Sequence, residues 1–575
     1  MDYKEQLAAS IAAQLTEVDY ETILSMLEYP PNPEMGDLSL PCFKLSKQLR
    51  KSPQVIAEQI NGLSTPASFE KSEAVSGYVN YYLDKTEFAG KLIHHILTSS
   101  GHYGSRNIGE GRSIVIDFSS PNIAKPFHVG HLRSTVIGNA IYKIYEFMGY
   151  QCIGVNHIGD WGTQFGKLIV AYHLWGNAEA IESEGIDELL RIYVMFHEEA
   201  ETRPELEDQA RAWFVKLEQG DGEAVKLWTW FKEISLQEFS RIYDLLGVSF
   251  DSYAGESFYN DKTMGVVQEL KDKRLLEEDD GALLVRLEEY NMPPALMIKK
   301  DGGTLYHTRD VAAAIYRKNT YNFDKCIYVV GGTQSLHFQQ CFQILKLMGY
   351  DWSEQMIHVP FGQVSFEGEK LSTRKGNVIM LEDMLQQAIS KTLEIINSKN
   401  PELEDKETVA RQIGVGAIIF NDLSGNRTKD ISFSWREVLN FDGETGPYVQ
   451  YTHARTCSVL RKASVTKGYE VEGYLAGART VDAGHLTNLE AQLVLKQLFL
   501  FPEKVELARA KLEPSVISRY LVDLAQSFNR FYHECPIIKV EDPETREARL
   551  ALVKCVQLTM QTGMKLIGLE APQEI

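Results

Sequence analysis

Two histidines stand three residues apart in His128-Val129-Gly130-His131, directly after an apolar run at 113–118 and the loop residues Ser120, Pro121 and Asn122. Residues at i and i+3 share one helix face. At a helix start, both imidazoles sit beside free N–H groups, where the helix dipole attracts anions. Ring N–H donors so placed hold a triphosphate and stabilise the charge that develops as a phosphoryl centre becomes five-coordinate. Gly130 carries no side chain, so a flat base can approach the backbone closely. Taken alone, the pair reads equally as two capping histidines. Its place straight after a buried strand favours the anion site.

A second group lies far along the chain, in Glu369-Lys370-Leu371-Ser372-Thr373-Arg374-Lys375-Gly376-Asn377-Val378. Three cations, two hydroxyls and a glycine in one short loop suit a mobile phosphate clamp. Lysine-rich turns are common in isolation, so the pairing with the histidine helix carries the signal. A third group is acidic. Asp117 closes the 113–118 run, and Asp310 follows Tyr306 by one helical turn, so both can face one point. Fixed carboxylates and neutral acceptors suit a planar, permanently charged cation. Each carboxylate singly reads as well as a salt bridge or helix cap. Glu256, in Ala254-Gly255-Glu256-Ser257, is a further candidate.

These groups need a scaffold that gathers distant loops. Apolar runs at 113–118, 152–156, 325–330 and 356–361 alternate with helix-patterned segments such as 128–148. Strand–helix alternation predicts an α/β Rossmann-like domain over 106–380, a parallel sheet with ligand loops at the strands' carboxyl ends. A charged, helix-patterned stretch from about 165 to 290 reads as an insertion within it. Residues 1–105 carry helices, a turn at 30–33 and an alternating segment at 74–83 read as strand, which predicts a small α+β N-terminal domain. The Gly-, Ser- and Asn-rich stretch 99–112 marks the boundary. Beyond 380 the pattern is helical: a linker over 381–440, then an all-α C-terminal domain over 441–575. At 575 residues the chain is multidomain.

The net charge of −20 argues against a nucleic-acid partner only if it is spread evenly. Salt screens charge beyond about 10 Å, so local distribution decides. The stretch 445–469 has no acid yet holds Arg455, Arg461, Lys462 and Lys467, and 118–145 is acid-free with Lys125, Arg133 and Lys143. Lys44, Lys47, Arg50 and Lys51 form a third basic group, predicted in one helix. The seven cysteines are scattered with no CxxC pair and no close Cys/His cluster, so reduced thiols are expected and no zinc site. No run of about 18 apolar residues and no secretory pattern appears, which predicts a cytoplasmic protein without a membrane span.

The motifs together resemble the class I aminoacyl-tRNA synthetases: His128-Val129-Gly130-His131 is similar to their HIGH signature and Lys370-Leu371-Ser372-Thr373-Arg374 to KMSKS. The flanks Phe118-Ser119-Ser120-Pro121-Asn122-Ile123-Ala124-Lys125 and Asn156-His157-Ile158-Gly159-Asp160-Trp161-Gly162-Thr163-Gln164-Phe165-Gly166 resemble arginyl-tRNA synthetases more closely. The end, Leu566-Ile567-Gly568-Leu569-Glu570-Ala571-Pro572, does so too, and the resemblance covers essentially the whole chain. Thr373 departs from the pattern at the second lysine of KMSKS, with Lys375 close enough to supply the charge.

The resemblance implies ATP-dependent activation of L-arginine to arginyl-adenylate and transfer to the terminal adenosine of tRNA, with Mg2+ accompanying ATP. It implies ATP contacts from His128, Gly130, His131, Lys370, Leu371 and Ser372, with His128, His131, Lys370 and Lys375 serving the reaction. Asp117, Tyr306 and Asp310 would hold the guanidinium. Ser120, Asn122, His131 and Gln334 would hold the α-amino and carboxylate end. Tyr78 and Asn80, in the 1–105 domain, would contact the tRNA elbow (D-loop), and Tyr448, Tyr451, Arg455 and Tyr532 the anticodon. A monomer with neither a resident metal nor structural zinc is expected, and adenylate formation is expected to need tRNA. Two rivals are another HxGH nucleotidylyltransferase, against which the length and the C-terminal helices argue, and a non-catalytic tRNA-binding relative. Intact His128, His131, Lys370, Asp117 and Asp310 argue against the second.

Overall fold

The computed structural model describes residues 2–30, 32–99, 101–125, 127–300, 302–366, 369–370, 380–467 and 481–575. They fall into two compact units. One comprises Met1–Ser100, Val459–Phe499 and Ser527–Val556; the other comprises Gly101–Ser458, Leu500–Gln526 and Gln557–Ile575. The C-terminal helical region, expected as one block, contributes to both.

In the first unit, β1 (Leu38–Pro41), β2 (Phe69–Val75) and β3 (Tyr78–Leu83) form an antiparallel sheet in the order β1-β3-β2. The segment expected as one strand over 74–83 is a hairpin instead. Ser76 and Gly77 both take positive φ (51° and 87°), as a two-residue type I′ turn requires. Along β3, Val79, Tyr81 and Leu83 are buried and Tyr78 faces the other way, half-buried. Asp2, Ser52 and Asp84 accept first-turn N–H groups and so start the helices Tyr3–Gln14, Pro53–Asn61 and Lys85–Thr98. The basic residues Lys44, Lys47, Arg50 and Lys51 do not share one helix. Only the single turn Ser46–Leu49 forms, because Arg50 takes a left-handed conformation (φ 52°) that ends it.

In the second unit, β4 (Ser113–Asp117) is followed by the helix Leu132–Phe147 and β5 (Gln151–Val155). An insertion then runs through helices from Thr163–Trp175 to Asn260–Asp272 and closes on a meander of β6 (Glu277–Asp279), β7 (Ala282–Val285) and β8 (Ala295–Ile298). Its end is thus strand, not helix. The chain returns through Tyr306–Tyr321 to β9 (Lys325–Gly331), Ser335–Leu347 and β10 (Met356–Phe361). These four major strands are all parallel, in the order β10-β9-β4-β5. Ile114, Val115 and Ile116 are fully buried, which is why the run is apolar on both faces. From β4 the chain moves to one side for β5 and, after the insertion, to the other for β9 and β10. Such a reversal opens a crevice outside the carboxyl ends of the strands.

A small sheet follows: β11 (Val364–Phe366) pairs antiparallel with β12 (Glu369–Lys370) and parallel with β13 (Ile431–Phe433). Long helices such as Leu381–Lys399, Lys406–Leu423 and Gly446–Lys467 complete the described C-terminal part. No described helix is long and apolar enough to cross a membrane.

Candidate active site

The two histidines cap each other. His128 precedes a 3-10 turn, Val129–His131, which leads into Leu132–Phe147, so the α-helix starts later than the expected 128. Gly130 N donates to His128 Nδ1 (3.1 Å) and His128 N donates to His131 Nδ1 (3.2 Å). Both Nδ1 atoms therefore accept, which leaves the ring proton of each neutral imidazole on Nε2, away from the cap. Burial lowers the pKa of both, with Lys125 adding to the effect at His128 and the neighbouring His128 at His131, whose pKa falls to about 3. The pair is thus two neutral donors with ring centroids 4.0 Å apart. Gly130 has a reason beyond access for a base: a Cβ there would meet His128 Cε1 at 2.7 Å.

The chain leaving the lysine-rich loop is tied to this turn. Met380 bridges His128, and Leu381 N donates to Phe127 O at 3.0 Å. At the loop's other end, the backbone of Lys370 pairs with Ser365. Leu371, Ser372 and Lys375 lie outside the described residues, as does the side chain of Lys370.

A chain of charged partners runs across the sheet's carboxyl edge. Asp117 Oδ2 pairs with Arg317 Nη2 at 2.8 Å; both side chains are buried. Arg317 Nη2 donates to His157 Nδ1 (3.3 Å), and His157 Nε2 lies 3.9 Å from Asp310 Oδ1. Asp310 Oδ2 takes His337 Nε2 at 2.5 Å. Asp117 and Asp310 are therefore linked through one network, but Asp117 is no free anion. Its second oxygen accepts from Ser120 Oγ (3.0 Å), and an internal guanidinium already neutralises it. Asp117, expected at the guanidinium, thus already has a cationic partner within the chain.

Asp310 and Glu256 remain as the acidic pair nearest solvent. Burial pushes Asp310 up, but the hydrogen bond and charge of His337, with His157 and Arg317, outweigh it and leave its pKa below the usual value. Burial pushes Glu256 up to about 7, with Arg309 opposing and Asp310 and Asp160 adding to the rise. Glu256 Oε2 stands 3.5 Å from Arg309 Nη1. Tyr306, one turn before Asp310, is 63 % exposed, with the Arg309 guanidinium 5.9 Å from its ring.

The loop after β4 is held under strain. Ser119 and Ser120 both take positive φ (71° and 51°), a conformation non-glycine residues adopt only where their surroundings impose it. The surroundings are specific: Ser119 N donates to Ser134 Oγ (2.8 Å), Ser119 Oγ meets Tyr243 OH (2.8 Å), and Ser120 N donates to Asn156 Oδ1 (3.2 Å). Asn122 is exposed and bridges Gly159, where a Cβ would strike its Oδ1 at 2.1 Å. Gln334 is exposed in the turn after β9. The carboxyl ends of β4 and β9 thus carry Ser120, Asn122 and Gln334.

The residues expected at tRNA divide between the units. In the first, Tyr78 packs edge-on against exposed Phe43 at 5.1 Å, and Asn80 is buried, its Oδ1 accepting from Ser39 Oγ at 2.7 Å. Tyr532, 38 % exposed, lies there too. In the second, Tyr448, Tyr451 and Arg455 follow one face of Gly446–Lys467, with the Arg455 guanidinium 5.0 Å from the Tyr451 ring.

Sequence reasoning passed over Arg317, His337 and Tyr243. It also passed over His307, His337 and Cys341, whose nitrogen and sulfur donors gather within 4.8 Å. The i, i+4 spacing of His337 and Cys341 was the available signal, and the expectation of no Cys/His cluster is corrected here. The seven cysteines are free.

Known families meet this geometry on every part of the chain. Residues 92–435 match the class I (R) tRNA synthetase catalytic domain, 449–575 the DALR anticodon binding domain, and 3–83 the arginyl tRNA synthetase N-terminal domain. The arginine–tRNA ligase of Alkaliphilus metalliredigens is 52 % identical over 575 residues, covering 100 % of both chains, and that of Clostridioides difficile is 51 % identical over the same span. Among solved structures, the Thermus thermophilus arginyl-tRNA synthetase superposes with a TM-score of 0.83 at 26 % identity, covering 100 % of this chain and 99 % of that one. The Plasmodium falciparum enzyme gives 0.78 at 26 % identity, covering 100 % and 98 %. With identity sustained end to end and every domain in its place, this chain belongs to the arginyl-tRNA synthetase family of class I tRNA synthetases.

Proposed function

We propose that the chain ligates L-arginine to tRNA in two steps. The arginine carboxylate attacks the α-phosphorus of ATP, the bond to pyrophosphate breaks, and arginyl-adenylate forms. A hydroxyl of the tRNA's terminal adenosine, the 2′ position in class I, then attacks the activated carbonyl and releases AMP. No covalent bond to the protein is needed, so catalysis is positioning and charge stabilisation. The Nε2–H groups of His128 and His131 donate to phosphate oxygens as charge develops. Lys370 and Lys375 reach the phosphates from the loop tied at Met380. ATP brings Mg2+ as its counter-ion.

Asp310 and Glu256, with Tyr306 closing over them, hold the guanidinium. Asp117, already balanced by Arg317, serves with Ser120 at the α-amino end, beside Asn122, His131 and Gln334. Tyr78 with Asn80 contacts the tRNA elbow; Tyr448, Tyr451, Arg455 and Tyr532 contact the anticodon. The proposed unit of action is a monomer in the cytoplasm. The observation that carries this reading is the gathering, at one sheet edge, of two neutral imidazole donors with a carboxylate pair that has one member kept ionised.

Pyrophosphate exchange tests it. Arginine is expected to drive exchange into ATP only when tRNA is present. Exchange driven by lysine instead of arginine would reject the substrate assignment, and strong exchange without tRNA would reject the tRNA requirement.

A further inference from the structure

Beside the proposed guanidinium pocket lies a set of softer donors with no part in the two steps. His307 stands in the first turn of Tyr306–Tyr321; His337 and Cys341 stand one turn apart on Ser335–Leu347. One ring nitrogen of each histidine and Cys341 Sγ all lie within 4.8 Å of one another. Cys341 Sγ is 3.7 Å from His337 Nε2, close to the edge of about 3.5 Å that arms of roughly 2.3 Å to sulfur and 2.0 Å to nitrogen give a tetrahedron. Asp310 Oδ2 accepts from the same Nε2 at 2.5 Å, so it stands beside the three donors and not among them. His337 and Asp310 keep 18 % and 29 % of their side chains exposed, so an ion reaches them from solvent. Gln340 Oε1 holds the His307 ring at 3.0 Å, the kind of outer partner that fixes a ligating imidazole.

We propose that His307, His337 and Cys341 bind a borderline-soft divalent cation of the Zn2+ class, and that its occupancy antagonises arginine by taking the His337 ring from Asp310 and setting a dication beside it. The second half rests on the reading that Asp310 holds the guanidinium. Two nitrogens and one sulfur suit such an ion, whereas Mg2+ and Ca2+ take oxygen ligands and are poor fits. Cys341 enters as thiolate, and its proton leaves to solvent. A bound dication turns the local field at Asp310 from attractive to repulsive for a guanidinium. Linkage then requires arginine to weaken the cation by the same factor.

Co2+ is the probe. Titrated into the full-length protein after chelator treatment, it is expected to give a sulfur-to-cobalt charge-transfer band that saturates at one ion per chain. Cys341→Ser should abolish the band, and His307→Ala should weaken Co2+ binding at least roughly tenfold, the scale on which even outer-shell partners matter. Both variants, stripped of Zn2+-class ions and assayed with Mg2+ restored, should charge tRNA with arginine normally, which shows that they fold. If Cys341→Ser does not fold, His307→Ala decides by itself. No band in the parent, or a band unchanged in a folded variant, would overturn the site. Saturating arginine should weaken Co2+ binding, and Co2+ should raise the Kd for arginine by the same factor. Independent binding of the two would reject the antagonism while leaving the cation site standing. Loss of arginine charging in the stripped parent supplied with Mg2+ would instead point to the functional reading itself.

Discussion

Glu256 and Asp310 are near enough for one to raise the other's pKa, yet their carboxyls are shifted in opposite directions. Asp310 has His337 at 2.5 Å and is held below its usual range, while Glu256 pairs with Arg309 at 3.5 Å, and burial outweighs that pairing and lifts it to about 7. A guanidinium stabilises the charged form, so binding arginine at low pH requires Glu256 to lose a proton first. The sign follows: arginine binds more weakly as pH falls below 7, by up to about tenfold per pH unit. The KM for arginine measured from pH 6 to pH 8 should fall with rising pH and then level. Glu256→Gln should flatten that curve and sit at its weak end, and a parent curve already flat would contradict the assignment. Because burial lowers the His131 pKa to about 3, the same pH range should bring no loss of kcat from that ring.

At the scale of elements, the turn Val129–His131 works as a unit: the backbone fixes the Nδ1 atoms so that the Nε2 protons point outward. Gly130→Ala would drive a methyl into His128 Cε1 at 2.7 Å and turn that ring. The expected result is a kcat lower by roughly 10²-fold, as for loss of one transition-state donor, with Tm nearly unchanged because position 130 is exposed. One turn on, buried Arg133 Nε meets buried Asp422 Oδ1 at 3.3 Å, and Arg133 Nη1 donates to Lys429 O at 2.9 Å. This joins the histidine helix to Lys406–Leu423 and to the chain entering β13. Arg133→Leu should cost about 3–5 kcal/mol in urea unfolding by leaving Asp422 uncompensated, and adding Asp422→Leu should recover much of it. The elements themselves were legible where the chemistry is local. Apolar runs bounded by loops marked β4, β5, β9 and β10, and HxGH after a strand marked the capped turn that starts the next helix. What the sequence hid was tertiary: that Arg317, 200 residues on in the same chain, neutralises Asp117, or that Ser119 and Ser120 are held at positive φ by Ser134, Tyr243 and Asn156. The Ser76-Gly77 hairpin and the His337/Cys341 spacing were local signals that were available and passed over.

At the scale of the molecule, a net charge of −20 coexists with an acid-free helix from Gly446 to Lys467 that bears Tyr451 and Arg455 on one face. A polyanionic partner meets that face, not the average, within the screening length. In the other unit, Tyr78 and exposed Phe43 offer a second aromatic surface of the kind unpaired bases stack on. Both surfaces matter only if the chemistry between amino acid and tRNA takes place. The direct measurement is therefore to incubate the purified chain with Mg2+, ATP and deacylated tRNA, supplying each radiolabelled amino acid in turn. Arginine alone should become acid-precipitable, at a level reaching one acceptor species of the pool. No label from arginine, or label from another amino acid in its place, would contradict the assignment.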